Sequence, residues 1–133
     1  TEIKSYVTEN NLIPSVKFLG LQNNVYSYLH DADMFTLPSN YEGIPMTLIE
    51  AMGTGLPIVA TAVGGVPDML TNGENALIVE NDIFSVSVAF DVFYNKQEKR
   101  KMFGESAKDR AQAFSSSVMG GSYIGIYENK KYI

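Results

Sequence analysis

Two glutamates, Glu42 and Glu50, stand with seven residues between them in the segment Pro38-Ser39-Asn40-Tyr41-Glu42-Gly43-Ile44-Pro45-Met46-Thr47-Leu48-Ile49-Glu50-Ala51-Met52-Gly53. Proline suits the first position of a helix, where its missing N–H would be unpaired anyway, so a helix is expected to start at Pro45. Ile44 before it cannot cap, which leaves the amides of Met46 and Thr47 without a side-chain acceptor. Gly43 lets the backbone approach a ligand, the helix dipole favours negative charge at this end, and the Thr47 hydroxyl adds a donor. Such a site fits a diphosphate. Glu50 follows Met46 by four residues and Thr47 by three, so it shares their face about 5 to 6 Å further along the axis. It is the only charge from Met46 to Met52. A carboxylate in so apolar a helix is costly unless it is hydrogen-bonded, and a vicinal diol such as that of ribose offers two donors to its two oxygens. Glu42, on the loop ahead of the helix, is placed to accept from hydroxyls of a sugar attached beyond the phosphates. Together these residues describe a nucleoside diphosphate sugar held at ribose, phosphate and hexose.

Blander readings exist for each feature. Solvated amides at a proline-started helix are common, a lone Glu50 is more often half-exposed than functional, and loop glutamates such as Glu42 are usually solvated. Gly64-Gly65 reads as a tight turn before a short helix at Val66-Pro67-Asp68-Met69-Leu70, with proximity to phosphate as the alternative. His30, the single histidine, ends a helix face and reads as a packing or capping residue. Most of the scattered tyrosines and phenylalanines are expected in the core. The sequence carries no metal-ligand cluster, no nucleophile–histidine pair and no phosphate-loop lysine motif, so no metal or other cofactor is expected.

The elements that must position these residues are short apolar strands alternating with amphipathic helices. Ile3, Tyr6 and Val7 fall at helical spacing ahead of Asn10-Asn11. Ser15 to Leu19, closed by Gly20, reads as a buried strand, and Asn24 as the cap of a helix carrying Val25, Tyr28, Leu29 and Ala32. Asp33 to Leu37, Pro57 to Thr61 and Ala76 to Val79 complete about four strands, the last following the turn signal Asn72-Gly73. Beyond Asp82 the chain reads as a helical tail with breaks near Asn95 and at Gly120-Gly121. This order implies an α/β fold, a Rossmann-like parallel sheet covered by helices on both faces. In such sheets ligands sit at the carboxyl ends of the strands, which points to the loops Gly20 to Asn24, Pro38 to Ile44 and Thr61 to Gly65.

Composition narrows the partners. A chain of 133 residues suits a single domain, 1–133, with one core. A net charge of −5 supplies no broad basic face for nucleic acid or an anionic membrane. With no cysteine there is neither a disulfide framework nor a thiolate metal site, which fits a cytoplasmic protein. A start at Thr1 without a charged-then-apolar leader reads as an excerpt of a longer protein.

At this point the residues resemble the C-terminal, donor-binding domain of the large family of retaining GT-B glycosyltransferases, which includes many bacterial capsule and lipopolysaccharide enzymes. The resemblance rests on the Glu42–Glu50 spacing in the segment above, continued by Thr54-Gly55-Leu56-Pro57-Ile58-Val59-Ala60. Val16-Lys17-Phe18-Leu19-Gly20, Gly64-Gly65-Val66-Pro67-Asp68 and Asn72-Gly73-Glu74-Asn75-Ala76-Leu77 add to it in the same order. It is close over residues 1 to 82 and looser in the helical tail. The resemblance implies that Glu50 holds the ribose hydroxyls, that Met46 and Thr47 meet the diphosphate, and that Glu42, the catalytic candidate, faces the donor sugar with Gly43 and Ile44. Gly20 and Leu21 would lie near the base. It implies a metal-independent transfer from a nucleoside diphosphate sugar, UDP-sugar first among them, to a glycan or lipid-linked acceptor. Helix dipoles and enzyme cations would stabilise the departing phosphate. The arginine and lysine that grip the diphosphate in the family, its first strands and its acceptor-binding N-terminal domain have no counterpart in this sequence. Val16 to Leu19 is then left without its usual neighbours, either pairing directly with Asp33 to Leu37 or joining a sheet completed by another chain or by the rest of the protein. The isolated chain is expected to be inactive. The full protein is expected in the cytoplasm, with the inner membrane face as a further place. A non-catalytic nucleotide-binding or interaction module is the alternative.

Overall fold

The computed structural model describes residues 2–128. In chain order they form α1 (Glu2–Glu9), α2 (Val25–His30), β1 (Phe35–Leu37), α3 (Met46–Thr54), β2 (Ile58–Thr61), α4 (Val66–Met69), β3 (Leu77–Val79), α5 (Ile83–Asn95), α6 (Gln97–Ala111), a 3-10 turn (Gln112–Phe114) and α7 (Ser116–Glu128). The strands make one parallel sheet in the order β1-β2-β3, with Leu37 opposite Ala60 and Thr61 opposite Val79. The α/β fold with a parallel sheet, flanking helices and a helical tail is therefore as the sequence implies.

The strand count is a correction, three in place of about four. Val16 to Leu19 forms no strand, and Val16, Phe18 and Leu19 are 37%, 46% and 38% exposed. A parallel strand exists only through a ladder to a neighbour. Nothing pairs with this segment among the described residues, and β1, the second half of the expected direct pair, bonds only to β2. In the tail the break near Asn95 falls at Lys96, but α7 runs through Gly120-Gly121 without interruption. The second break lies instead at Gln112–Ser115. A glycine inside a helix costs only about 1 kcal/mol relative to alanine, too little to end it.

Every residue of β2 is buried, because helices pack on both faces of the sheet. On one face Ile58 and Ala60 meet Leu48 and Met52 of α3, Val66 and Met69 of α4, and Ala107 of α6. On the other, Val59 meets Ala89, Phe93 and Phe103. The Phe93 and Phe103 rings cross edge-to-face at 76° with centroids 5.4 Å apart. α3 ends at Gly55, whose φ of 80° only glycine adopts freely, and α6 lies so close there that a β-carbon on Gly104 would fall 2.0 Å from the Gly55 carbonyl oxygen. That contact fixes the far end of the helix whose near end carries the candidate site.

Candidate functional site

α3 starts one residue later than the sequence implies. Pro45 takes the cap position with φ −73° and ψ 109°, and no side chain caps the helix. The consequence for the amides is unchanged. The Leu48 amide bonds the Pro45 carbonyl at 3.0 Å, while those of Met46 and Thr47 have no partner among the described residues. Both side chains are exposed, Pro45 beneath them is buried, and Glu50 on the next turn is half-buried. Its carboxylate makes no hydrogen bond or ion pair among the described residues, so no internal cation or backbone donor explains its place in this apolar helix.

Glu42 is held from two sides. The Ser39 hydroxyl donates to Glu42 Oε1 at 2.6 Å, which leaves Oε2 free to accept. Ser39 is itself anchored, since the Thr61 hydroxyl donates to its carbonyl at 2.6 Å. The pairing of Leu37 with Ala60 brings Thr61 level with the chain just beyond β1. On the other side the Gly65 amide donates to the Gly43 carbonyl at 2.9 Å. A β-carbon on Gly64 would lie 1.7 Å from the Glu42 carbonyl oxygen, and one on Gly65 2.6 Å from that of Gly43. Gly64-Gly65 thus does form the turn before α4, and it also lets two backbones touch at the glutamate. The third loop joins through Asn81, whose amide donates to Asn40 Oδ1 at 2.6 Å.

The loops leaving the carboxyl ends of all three strands are therefore tied together around Glu42. The loop from Gly20 to Asn24 is linked to the site differently. Gly20 has φ +66°, Leu21 is 97% exposed, and Asn24 caps α2 by accepting from the Ser27 amide at 3.4 Å. α2 then packs its Leu29 against Ala51 and Leu56, on α3 and just past it. It ends at His30, two residues short of Ala32. His30 lies exposed on the surface, 3.8 Å from the exposed Asp31 carboxylate.

A cleft of about 570 Å³ opens beside this rim between β3 and α5, lined by Thr61, Val63, Ile78, Glu80, Phe84 and Val88, and neither Glu42 nor Glu50 lines it. From Pro38 to Gly65 the only charges are those two carboxylates. The arrangement is a set of donors and acceptors on an open face, with no cation from Pro38 to Gly65. Sequence reasoning missed the Thr61–Ser39 and Asn81–Asn40 ties. They depend on the pairing register and on which loops meet, and no local signal carries either.

No helix among the described residues is long and apolar enough to cross a membrane. An uncharacterized glycosyltransferase of Methanocaldococcus jannaschii is 32% identical over 124 residues, covering 90% of this chain and 35% of that protein. UDP-Gal:alpha-D-GlcNAc-diphosphoundecaprenol alpha-1,3-galactosyltransferase of Escherichia coli is 35% identical over 82 residues, 61% of this chain and 21% of that one. The fold is also that of Anabaena HepE, solved in complex with UDP, at a TM-score of 0.90 and 21% identity, over 96% of this chain and 36% of that one. The chain spans between about a fifth and about a third of the length of the curated relatives it matches, 35% and 21% for the two named above. The family profile described as glycosyl transferases group 1 matches residues 1–110, most of the chain and every element of the site, and this chain belongs to that family.

Proposed function

We propose that this chain is the donor-binding half of a retaining glycosyltransferase that takes its sugar from a nucleoside diphosphate sugar, most readily a UDP-sugar. The observation that carries the reading is the uncapped start of α3 with Glu50, unpaired, one turn along the same face. The free amides of Met46 and Thr47 meet the diphosphate with the positive end of the helix dipole behind them. Glu50 accepts from the ribose diol. Glu42, with one oxygen committed to Ser39, presents the other to the donor sugar beside Gly43 and Ile44. During transfer the bond from the anomeric carbon to the diphosphate oxygen breaks, an acceptor hydroxyl oxygen takes its place on the same face, and the hydroxyl's proton leaves with the diphosphate.

The donor class is supported by the UDP in Anabaena HepE and by the name of the Escherichia coli galactosyltransferase. The latter's diphosphoundecaprenol-linked sugar also supports a lipid-linked or glycan acceptor, with the protein at the inner face of the cytoplasmic membrane. The acceptor half and the cations for the diphosphate come from outside this chain, so the chain alone transfers no sugar. β1, an edge strand bonded only to β2, is where the rest of the protein or a second copy would complete the sheet. Transfer proceeds without a bound metal, and undiminished turnover in EDTA is the expected result.

The test is a thermal-shift panel of UDP, GDP and ADP and their sugars on the protein containing this chain. Ligand at 100 times its dissociation constant adds about 2.7 kcal/mol of stability. Glu50→Gln should cut nucleotide affinity at least about tenfold, because it weakens two charge-assisted hydrogen bonds. The empty variant should be as stable as the parent or slightly more so. Destabilisation with intact nucleotide binding would overturn the assignment. Nucleotide binding without transfer in the complete protein would favour the non-catalytic module.

A further inference from the structure

Met46, Glu50 and Gly53 fall at i, i+4 and i+7 and form one stripe along α3. Gly53 lies about 4.5 Å beyond Glu50 along the axis. The hydroxyl of Tyr26 on α2 comes within 4.0 Å of where a Gly53 β-carbon would sit, and apart from Gly53's chain neighbours and the backbone of α3 itself nothing else among the described residues lies within that distance. α2 is held there by Leu29, buried against Ala51 and Leu56 three positions after Tyr26, which sets the phenol beside the same stripe. Tyr28 donates its hydroxyl to Gln22 at 3.1 Å, whereas the Tyr26 hydroxyl has no partner among the described residues and the side chain is 56% exposed.

We propose that Tyr26 meets the nucleobase of the donor, its ring and free hydroxyl forming the base end of the stripe that starts at the Met46 amide, where Gly53 adds no side chain of its own. The inference rests on the assignment of Glu50 to the ribose. A nucleotide with its phosphates at Met46 and its ribose at Glu50 continues along the stripe, and the base, one ring beyond the ribose, arrives where Gly53 presents no side chain. There Tyr26 supplies a flat apolar face and one polar atom, the two features a base recognises.

The experiment compares UDP with inorganic pyrophosphate, which lacks the nucleoside, on the protein containing this chain. Tyr26→Phe should weaken UDP about three- to tenfold, the effect of one lost hydrogen bond. Tyr26→Ala should weaken it further, and Gly53→Leu, which puts a side chain where the base would lie, should do the same. None of the three should change pyrophosphate affinity. Equal losses for both probes would mean that Tyr26 only holds α2 on α3 and would overturn the proposal, as would unchanged UDP affinity in Tyr26→Ala. Glu50→Gln run in parallel separates the levels. If it loses UDP while the Tyr26 variants do not, the base contact is wrong and the ribose site stands. If it binds UDP like the parent, the ribose assignment falls and this one with it.

Discussion

Replacing Gly64 by alanine tests whether backbone contact between two loops positions the catalytic candidate. Gly64 has φ +55°, where a β-carbon costs roughly 1–2 kcal/mol. The added carbon would fall 1.7 Å from the Glu42 carbonyl oxygen, half the 3.4 Å at which ordinary contact begins, and 2.6 Å from the carbonyl carbon. Both are backbone atoms, so no side chain can swing away. The loops must part by an ångström or more, breaking the 2.9 Å bond from Gly65 to Gly43 and moving Glu42 off Ser39. Overpacking of this kind costs about 1–3 kcal/mol, which with the backbone term makes about 2–5 kcal/mol. A misplacement of about 1 Å at a reacting group lowers rate on the order of 100-fold. Gly73→Ala is the control, with φ +80° and nothing within 4 Å of the new carbon, so it carries the backbone cost alone. Denaturant unfolding of both variants, with transfer rates measured in the complete protein, should show Gly64→Ala less stable than Gly73→Ala by about 1–3 kcal/mol and alone in losing turnover. Equal stability with retained turnover would refute the argument.

Two further outcomes probe the scaffold. Phe93→Ala removes a side chain with 0% exposure and its edge-to-face contact with Phe103, and should destabilise by about 3–5 kcal/mol in chemical denaturation. It lies on the sheet face opposite α3, so UDP affinity of the folded fraction should hold, and loss of UDP binding in well-folded protein would contradict this separation. Asp82 caps α5 and is held below its ordinary pKa of 3.8, first by the Ser85 hydroxyl at 2.6 Å and then by the Ser85 amide at 2.9 Å. A carboxyl lowered in the fold adds stability above its unfolded pKa and loses it as pH falls through the folded one. The melting-temperature gap between parent and Asp82→Ala should therefore be full at pH 7 and shrink below about pH 3.8, whereas a gap independent of pH would show that the charge plays no part.

Local chemistry in the sequence determined the uncapped, apolar helix at Met46, the carboxylate one turn along it, the Asn24 cap and three of the strands, because each depends on residues within a few positions of one another. It also determined the family, through motifs whose spacing survives in the chain. Proline 45 shows the limit of such reading: it was legible as a helix start, but cap against first turn differs by one set of backbone angles that the surrounding packing selects. Val16 to Leu19 shows a larger one. Its apolar run carries strand propensity, yet a strand is a relation between two segments, and no neighbour reaches it among the described residues. The role of Gly64-Gly65 was likewise a matter of tertiary structure, since only the approach of the loop after β2 to the loop after β1 makes a β-carbon intolerable there. The same holds for Thr61, which the β1–β2 register delivers to Ser39, and for Tyr26, which the packing of Leu29 lays over Gly53. Sequence spacing selects the groups that do the chemistry; the long-range pairing of strands and helices decides which of them meet.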